Sequence, residues 1–284
     1  MTASVTHPAS RGESVPNSLE PEHGWHCSHF FYRFDRRRVA ELGSNLADAK
    51  SQFVSVLNGD NETACPRQQV YITVGHKADF AVFAMGPDPL QINSLHQSLM
   101  SGPLGTMLEC TWSFVSVSEI SEYVPSPEEF GRTLRRDGMV ADSDEYRQRI
   151  AAYSDRLPMM NQQRLKPNVP DWPAACFYPM NKSRAVGANW FTEPSSLRGE
   201  LMAEHGRSGM MFMGRVSQLI TVGVGLDDWE WMVTLWARNP QYLKDIVYKM
   251  RFDEASAKYA EFGPFYTGYR ATPLEIWDHC RLDR

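Results

Sequence analysis

AACFYPM, Ala174 to Met180, is an apolar run of strand length, and what flanks it decides how this chain folds. Behind it comes Ser195–Gly206, with Leu197, Leu201 and Met202 on one helical face and Ser195 placed to cap the N-terminus. Met210–Val222 and Trp229–Ala237 then read as strands joined across Gly223–Asp228. Pro240 opens a helix at its tolerated first position and the pattern runs to about Met250. Phe262–Ala271 closes the set as a strand. The order is strand, helix, strand, strand, helix, strand.

The same order stands in the first half. Ser28–Phe34 is aromatic-rich and strand-like. Val39, Leu42, Leu46, Ala49, Phe53 and Leu57 recur at helical steps until Asn58-Gly59-Asp60-Asn61 breaks the chain. Val70–Val74 and Phe80–Ala84 pair around a turn near Gly75, Asp88–Met100 is helical, and Met107–Val117 is another strand. Two copies of a split β-α-β unit predict two ferredoxin-like halves, each with an apolar sheet face to bury against the other. The predicted fold class is α+β, with two tandem ferredoxin-like halves forming a dimeric α+β barrel within one chain. The predicted boundaries are a disordered tail over 1–24, a first half over 25–119, a proline-rich connector over 120–172 and a second half over 173–284.

Composition narrows the function. Hydrophobic residues make up 42% and charged residues 22%, as in a globular protein. A net charge of -5, with no cationic run longer than Arg36-Arg37-Arg38, argues against nucleic acid as a partner. Five scattered cysteines without a CxxC fit reduced thiols. No signal-peptide core is present, and no apolar run approaches the ~20 residues of a membrane span, so a cytoplasmic protein with no membrane partner is expected.

GxxxxGK[ST], HExxH and GxSxG are absent, which takes support from P-loop, zincin and hydrolase readings. Gly223-Val224-Gly225 leads into a strand and reads as a hairpin turn. His23, His26, Cys27 and His29 crowd together, but neighbours on a strand point to opposite faces, so they are not expected to hold a metal. Tyr178 and Lys182 are four apart on one strand, hence on one face, with Pro179 marking an edge or an interruption. That pair reads either as an exposed edge with a solvated lysine or as a phenol beside a carboxylate anchor. His205, before Gly206, reads as a histidine at a helix C-terminus or as an axial iron ligand. Gln218 lies in an apolar strand with Val216 and Ile220; buried, it would need a polar occupant of the barrel. Arg251 and Ser256 follow a helix and are otherwise ordinary C-terminal polarity.

These phrases together resemble the coproheme decarboxylases, the haem-synthesis branch of the chlorite dismutase-like superfamily. The likeness is dense from about Ala174 to Gly268, through Phe177–Arg184, Asn189-Trp190-Phe191, Gly225–Trp231, Met250–Glu254 and Glu261–Phe265, and thinner in the first half, chiefly Ser116–Tyr123. The resemblance implies peroxide-dependent oxidative decarboxylation of two propionates of iron-coproporphyrin III (coproheme) to the vinyls of haem b, with hydrogen peroxide as oxidant. It implies His205 as axial iron ligand, Tyr178 as the residue converted to a radical and Lys182 as the propionate anchor. It also implies Pro179, Met180 and Asn181 around the porphyrin, Gln218 on the distal side, and Arg164, Arg251 and Ser256 on propionates. Chlorite dismutases carry a distal arginine where this chain has the uncharged Gln218, so chlorite dismutation is disfavoured. A homopentamer follows from the same resemblance. The competing readings are a haem-binding or haem-sensing protein without turnover, a chlorite dismutase or peroxidase-like haem enzyme, and a cofactor-free barrel monooxygenase or an interaction domain.

Overall fold

The computed structural model describes residues 17–59 and 64–283. Most of the expected tail, residues 1–16, and Asp60 and Asn61 of the predicted break lie outside the described residues. Residues 17–25 carry no helix or strand.

The first half runs β1 (His26–Phe34), α1 (Arg36–Glu41), a short 3₁₀ turn, α2 (Leu46–Asn58), β2 (Arg67–Val74), β3 (Phe80–Gly86), α3 (Pro89–Leu99), α4 (Gly102–Thr106) and β4 (Leu108–Ser118). The single helix predicted over 39–57 is divided, because Gly43 takes a φ of 53° that a right-handed helix does not accommodate. The connector holds two helices, α5 (Pro127–Arg136) and α6 (Asp144–Leu165), joined by a stack of Phe130 on Tyr153 at 4.3 Å. The second half runs β5 (Ala174–Lys182), a small hairpin of β6 (Arg184–Ala185) and β7 (Ala188–Asn189), α7 (Ser195–Met210), β8 (Val216–Val222), β9 (Trp231–Ala237), α8 (Pro240–Met250), α9 (Glu254–Ala257), β10 (Ala260–Phe262), β11 (Tyr266–Arg270) and α10 (Pro273–His279).

Within each half the strands lie in the same spatial order, β2-β3-β1-β4 and β8-β9-β5-β11, as a duplicated unit requires. The halves meet edge to edge. β11 pairs with β2 from Thr267↔Val74 to Arg270↔Tyr71, and β4 pairs with β8 at Val117↔Val222 and Ser118↔Thr221. β5 also pairs with β9, so eight antiparallel strands close on themselves and β10 is added at the end of β5. The two sheets therefore form a barrel whose strands all have partners, which removes open edges.

Period-two alternation decides what each side chain sees. Ala175 and Phe177 of β5 point into the barrel, where they pack with Phe31, Tyr71, Phe83, Phe114, Met232 and Trp236. Cys176 and Tyr178 point outward, into an apolar layer with Val233, Leu235, Ile246 and Met250 beneath α8. The first half buries its own outer face under α2, α3 and α10 through Phe34, Phe53, Phe80 and Trp277. The barrel interior is thus filled by packed side chains, mostly apolar.

Further elements differ from expectation. The single strand expected over Phe262–Ala271 is two, β10 and β11, parted at 263–265. α7 continues through Gly206 to Met210, a tolerable cost of ~1 kcal/mol per helical glycine, so the strand expected from Met210 begins at Val216. Ser195 is the first helical residue and Pro194 takes the cap position, without a side-chain bond. α10 follows the last strand and was not predicted. Among the described residues no helix is long and apolar enough to cross a membrane.

Candidate active site

Register on the outer face of the second half builds the site row by row. Tyr178 is cross-strand from Val233, which is cross-strand from Ile220; Cys176, Leu235 and Gln218 form the row beside it. Tyr178 and Ile220 are therefore two strand spacings apart, about 10 Å, and Gln218 lies two residues along β8 from Ile220. Pro179 marks a change of partner: β5 pairs with β11 up to Phe177 and with β10 from Met180, and the Pro179 carbonyl accepts from the Gly263 N–H at 2.9 Å. This is the interruption that a proline in a strand signals.

Tyr178 is buried, with its ring stacked on Phe265 at 4.3 Å and 5.8 Å from Phe262. Burial pushes its phenol pKa up, the nearby Cys176 adds to this, and the Arg251 cation opposes it. Arg251 lies at the end of α8, with its guanidinium 3.9 Å over the Phe262 ring and no ion pair to a described carboxylate. Met180, half-buried, packs on the same apolar layer.

Lys182 is not a solvated edge residue. It is 8% exposed, its Nζ donates to the Ala255 carbonyl at 3.2 Å, and the ammonium sits 4.0 Å over the Trp190 ring. Burial pulls its pKa down to about 8, partly offset by Glu230. Glu230, also buried, accepts the Lys182 main-chain N–H at 2.8 Å and pairs with Arg184. Its own N–H donates to Asn181 Oδ1 at 2.8 Å, which commits the Asn181 side chain to the scaffold.

Opposite this strand end, His205 projects from α7. Its Nδ1 is 3.2 Å from Asp253 Oδ2, and Ser256 Oγ lies 3.4 Å from the same nitrogen. Asp253 is almost fully buried, and its other oxygen accepts from Ser208 Oγ at 2.8 Å. A carboxylate on Nδ1 fixes the proton there and leaves the Nε2 lone pair for a metal, the arrangement that orients a ligating histidine. Burial lowers the His205 pKa, with Asp253 opposing and Lys182 reinforcing, so the neutral form that binds metals is favoured. Ser256, buried, thus stands behind the imidazole.

Gln218 corrects one expectation. Its neighbours on the face are as predicted, Val216 and Ile220, but that face is outward and Gln218 is exposed, because the barrel interior is filled by Leu219 and its neighbours. No polar occupant of the barrel is needed. Its amide reaches toward α7, where a Cβ at Gly209 would lie 3.4 Å from Gln218 Nε2. Gly209 is one helical turn beyond His205, so both face β8. Arg164 is exposed in the last turn of α6, near Tyr153. Of the early histidines, His29 points into the barrel and bonds Thr234 Oγ1 at 2.8 Å. No group of three or more His, Cys, Asp or Glu among the described residues is placed to hold a bare metal ion. Two surface cavities, of about 460 and 490 Å³, lie near Arg36 and near Arg270 and include none of these residues.

The structure thus gathers Tyr178, Lys182, His205, Arg251 and Ser256 around the outer face, with Gln218 facing α7. Sequence reasoning missed the roles of Asp253, Glu230, Trp190 and Phe265, although each lies within a stretch that carries the resemblance. The donor set suits a planar, polyanionic iron ligand: one oriented imidazole, two cations and an exposed apolar wall at Ile220.

The sequence and the fold have known relatives. The pattern of the chlorite dismutase family matches residues 46–271. A coproheme decarboxylase of Staphylococcus saprophyticus is 31% identical over 93% of this chain and 98% of its own length. That of Oceanobacillus iheyensis is 33% identical over 91% and 96%. A longer protein of Natronomonas pharaonis is 34% identical over 90% of this chain, which spans only 40% of that relative. A heme-binding protein from Thermus thermophilus superposes with a TM-score of 0.73 at 31% identity, covering 96% of this chain and all of its own. A mutant chlorite dismutase from Candidatus Nitrospira defluvii, at 15% identity and a TM-score of 0.68, shares the fold over 94% of this chain and 98% of its own. With the barrel, the oriented histidine and a family match across most of its length, this chain is a member of the chlorite dismutase family.

Proposed function

We propose that the protein is an oxidoreductase that decarboxylates two propionates of coproheme to give haem b. The observation that carries the reading is the pairing of a buried phenol and a buried ammonium on one strand face, Tyr178 and Lys182, beside an imidazole whose Nδ1 is held by a carboxylate. Bound at His205 Nε2, the iron porphyrin would supply the oxidising power, with hydrogen peroxide as the co-reactant.

The chain's own residues then divide the work. Lys182 and Arg251 pair with propionates, which recovers the cost of burying carboxylates. Tyr178 gives up a hydrogen atom from its phenol and takes one from the propionate β-carbon. The C–C bond to the carboxylate breaks, CO₂ leaves, and a vinyl group remains. Each propionate loses two electrons and one proton; one peroxide, with that proton and one more, takes them up as two waters. Gln218, uncharged, would face the bound porphyrin from β8 and offers no cation to retain chlorite-type anions. Arg164 reaches a propionate in this reading through the end of α6. A cytoplasmic homopentamer completes it, testable by native mass.

The test is a titration of purified protein with coproheme and then peroxide, read by mass spectrometry. Stepwise loss of two carboxyl groups is expected, and Tyr178→Phe binds coproheme but leaves it intact. Unchanged porphyrin under excess peroxide would leave a haem-binding protein without turnover.

A further inference from the structure

One side chain of the first half reaches the wall behind Tyr178. Lys77, half-buried in the turn between β2 and β3, donates from Nζ to the Phe265 carbonyl at 2.6 Å and lies 5.3 Å over the Tyr266 ring. Phe265 is the residue whose ring stacks on the phenol, at 4.3 Å and 16°. It belongs to the loop Gly263-Pro264-Phe265, which spans the change of strand partner opposite Tyr178 and Pro179, where neither β10 nor β11 pairs with β5. Among the described residues two hydrogen bonds hold this loop: Gly263 N–H to Pro179 O, and Lys77 to Phe265 O. The first ties the loop to β5 itself; the second ties it to the other half of the chain.

We propose that Lys77 is a positioning residue for Tyr178: by fixing the Phe265 carbonyl it holds the Phe265 ring against the phenol and so sets the phenol's orientation toward the substrate. The proposal rests on the reading of Tyr178 given above. A charge-assisted bond to a loop carbonyl is among the stronger single ties available, and a loop with one tie fewer leaves the ring free to tilt. Displacements near 1 Å at reacting groups cost about 100-fold in rate, so a partial loss of the stack is expected to lower kcat at least about tenfold. Substrate affinity is carried by other residues and is expected to stay within about twofold.

The experiment compares the unsubstituted protein, Lys77→Met and Lys77→Arg. Ligand-free protein carrying 3-fluorotyrosine is read by ¹⁹F NMR, with the Tyr178 resonance assigned by its loss in Tyr178→Phe. Loss of the Phe265 ring current shifts that resonance in Lys77→Met, and Lys77→Arg returns it. Coproheme turnover under peroxide is measured alongside, with kcat falling in Lys77→Met, affinity unchanged and Lys77→Arg restoring the rate. A Tyr178 resonance at its original position in Lys77→Met overturns the proposal, as does unchanged kcat, or affinity falling in step with kcat. If the unsubstituted protein forms no vinyl product, the decarboxylase reading fails, while the ¹⁹F shift still decides whether Lys77 holds the phenol.

Discussion

Replacing Lys182 by Met is expected to stabilise the ligand-free protein while weakening its hold on substrate. The ammonium is 8% exposed, and burial brings its pKa from 10.5 to about 8. At ~1.4 kcal/mol per pH unit, that difference is about 3 kcal/mol held against the charged form in the fold. Methionine keeps the hydrocarbon stem and sheds the charge. The Ala255 carbonyl loses its donor and the Trp190 ring its cation, opposing costs of about 2 kcal/mol together. The net gain at pH 7 is about 1 kcal/mol, or roughly 2 °C or more in Tm for a chain of this size. The pH dependence fixes the sign. Between about pH 8 and 10.5 the unfolded chain still holds the proton that the folded lysine has released. The unsubstituted protein therefore gains stability as pH rises through that window, and the variant does not. The gap should close before pH 10.5, where the unsubstituted protein, relieved of the buried charge, becomes the more stable of the two. Calorimetry of both ligand-free proteins at pH 7 and pH 10.5 reads the gap. Coproheme titrations should show weaker binding by the variant at pH 7. Equal Tm values at pH 7, or a gap that widens with pH, would refute the reasoning.

Asp253→Asn removes the carboxylate that orients His205 and accepts from Ser208. Iron-porphyrin affinity should fall about 10- to 100-fold while metal-free porphyrin binds as before, which absorbance titrations would distinguish. Gly209→Val places a Cβ 3.0 Å from the flexible end of Met250 and 3.4 Å from Gln218 Nε2. The fold should lose no more than about 1–3 kcal/mol, while porphyrin binding weakens at least about tenfold. Porphyrin affinity equal to that of the unsubstituted protein would mean that the space between α7 and β8 is not used.

Much of the architecture was legible because the chain repeats itself. Strands such as Phe80–Gly86 and helices such as Pro240–Met250 are bounded by glycine, proline or asparagine, and their periodicity separates the two classes. Closure was legible only as an expectation, since one seam rests on two residue pairs, Val117↔Val222 and Ser118↔Thr221. The extent of α7 was misjudged because Gly206 looks like a stop, yet nothing at that point forces the chain out of the helix. Period two also says which residues share a face without saying which face is inside. That is why Gln218 was grouped correctly with Ile220 yet placed on the wrong side of the sheet. Asp253 stands 48 residues from His205, and Glu230 the same distance from Lys182, so no local pattern links either pair.

β11 is the piece that completes the ring, because it lies between β5 and β2 and its five residues are made after both of the strands it joins. Until it inserts, the strand bearing Tyr178 and the outermost strand of the first half each present bare N–H and C=O groups along one side. A growing chain that stalls before residue 266 is thus a species with two sticky flanks, open to pairing with neighbouring copies. Chaperone demand for the barrel should therefore peak just before the keystone emerges, when the other seven strands of the ring are already present.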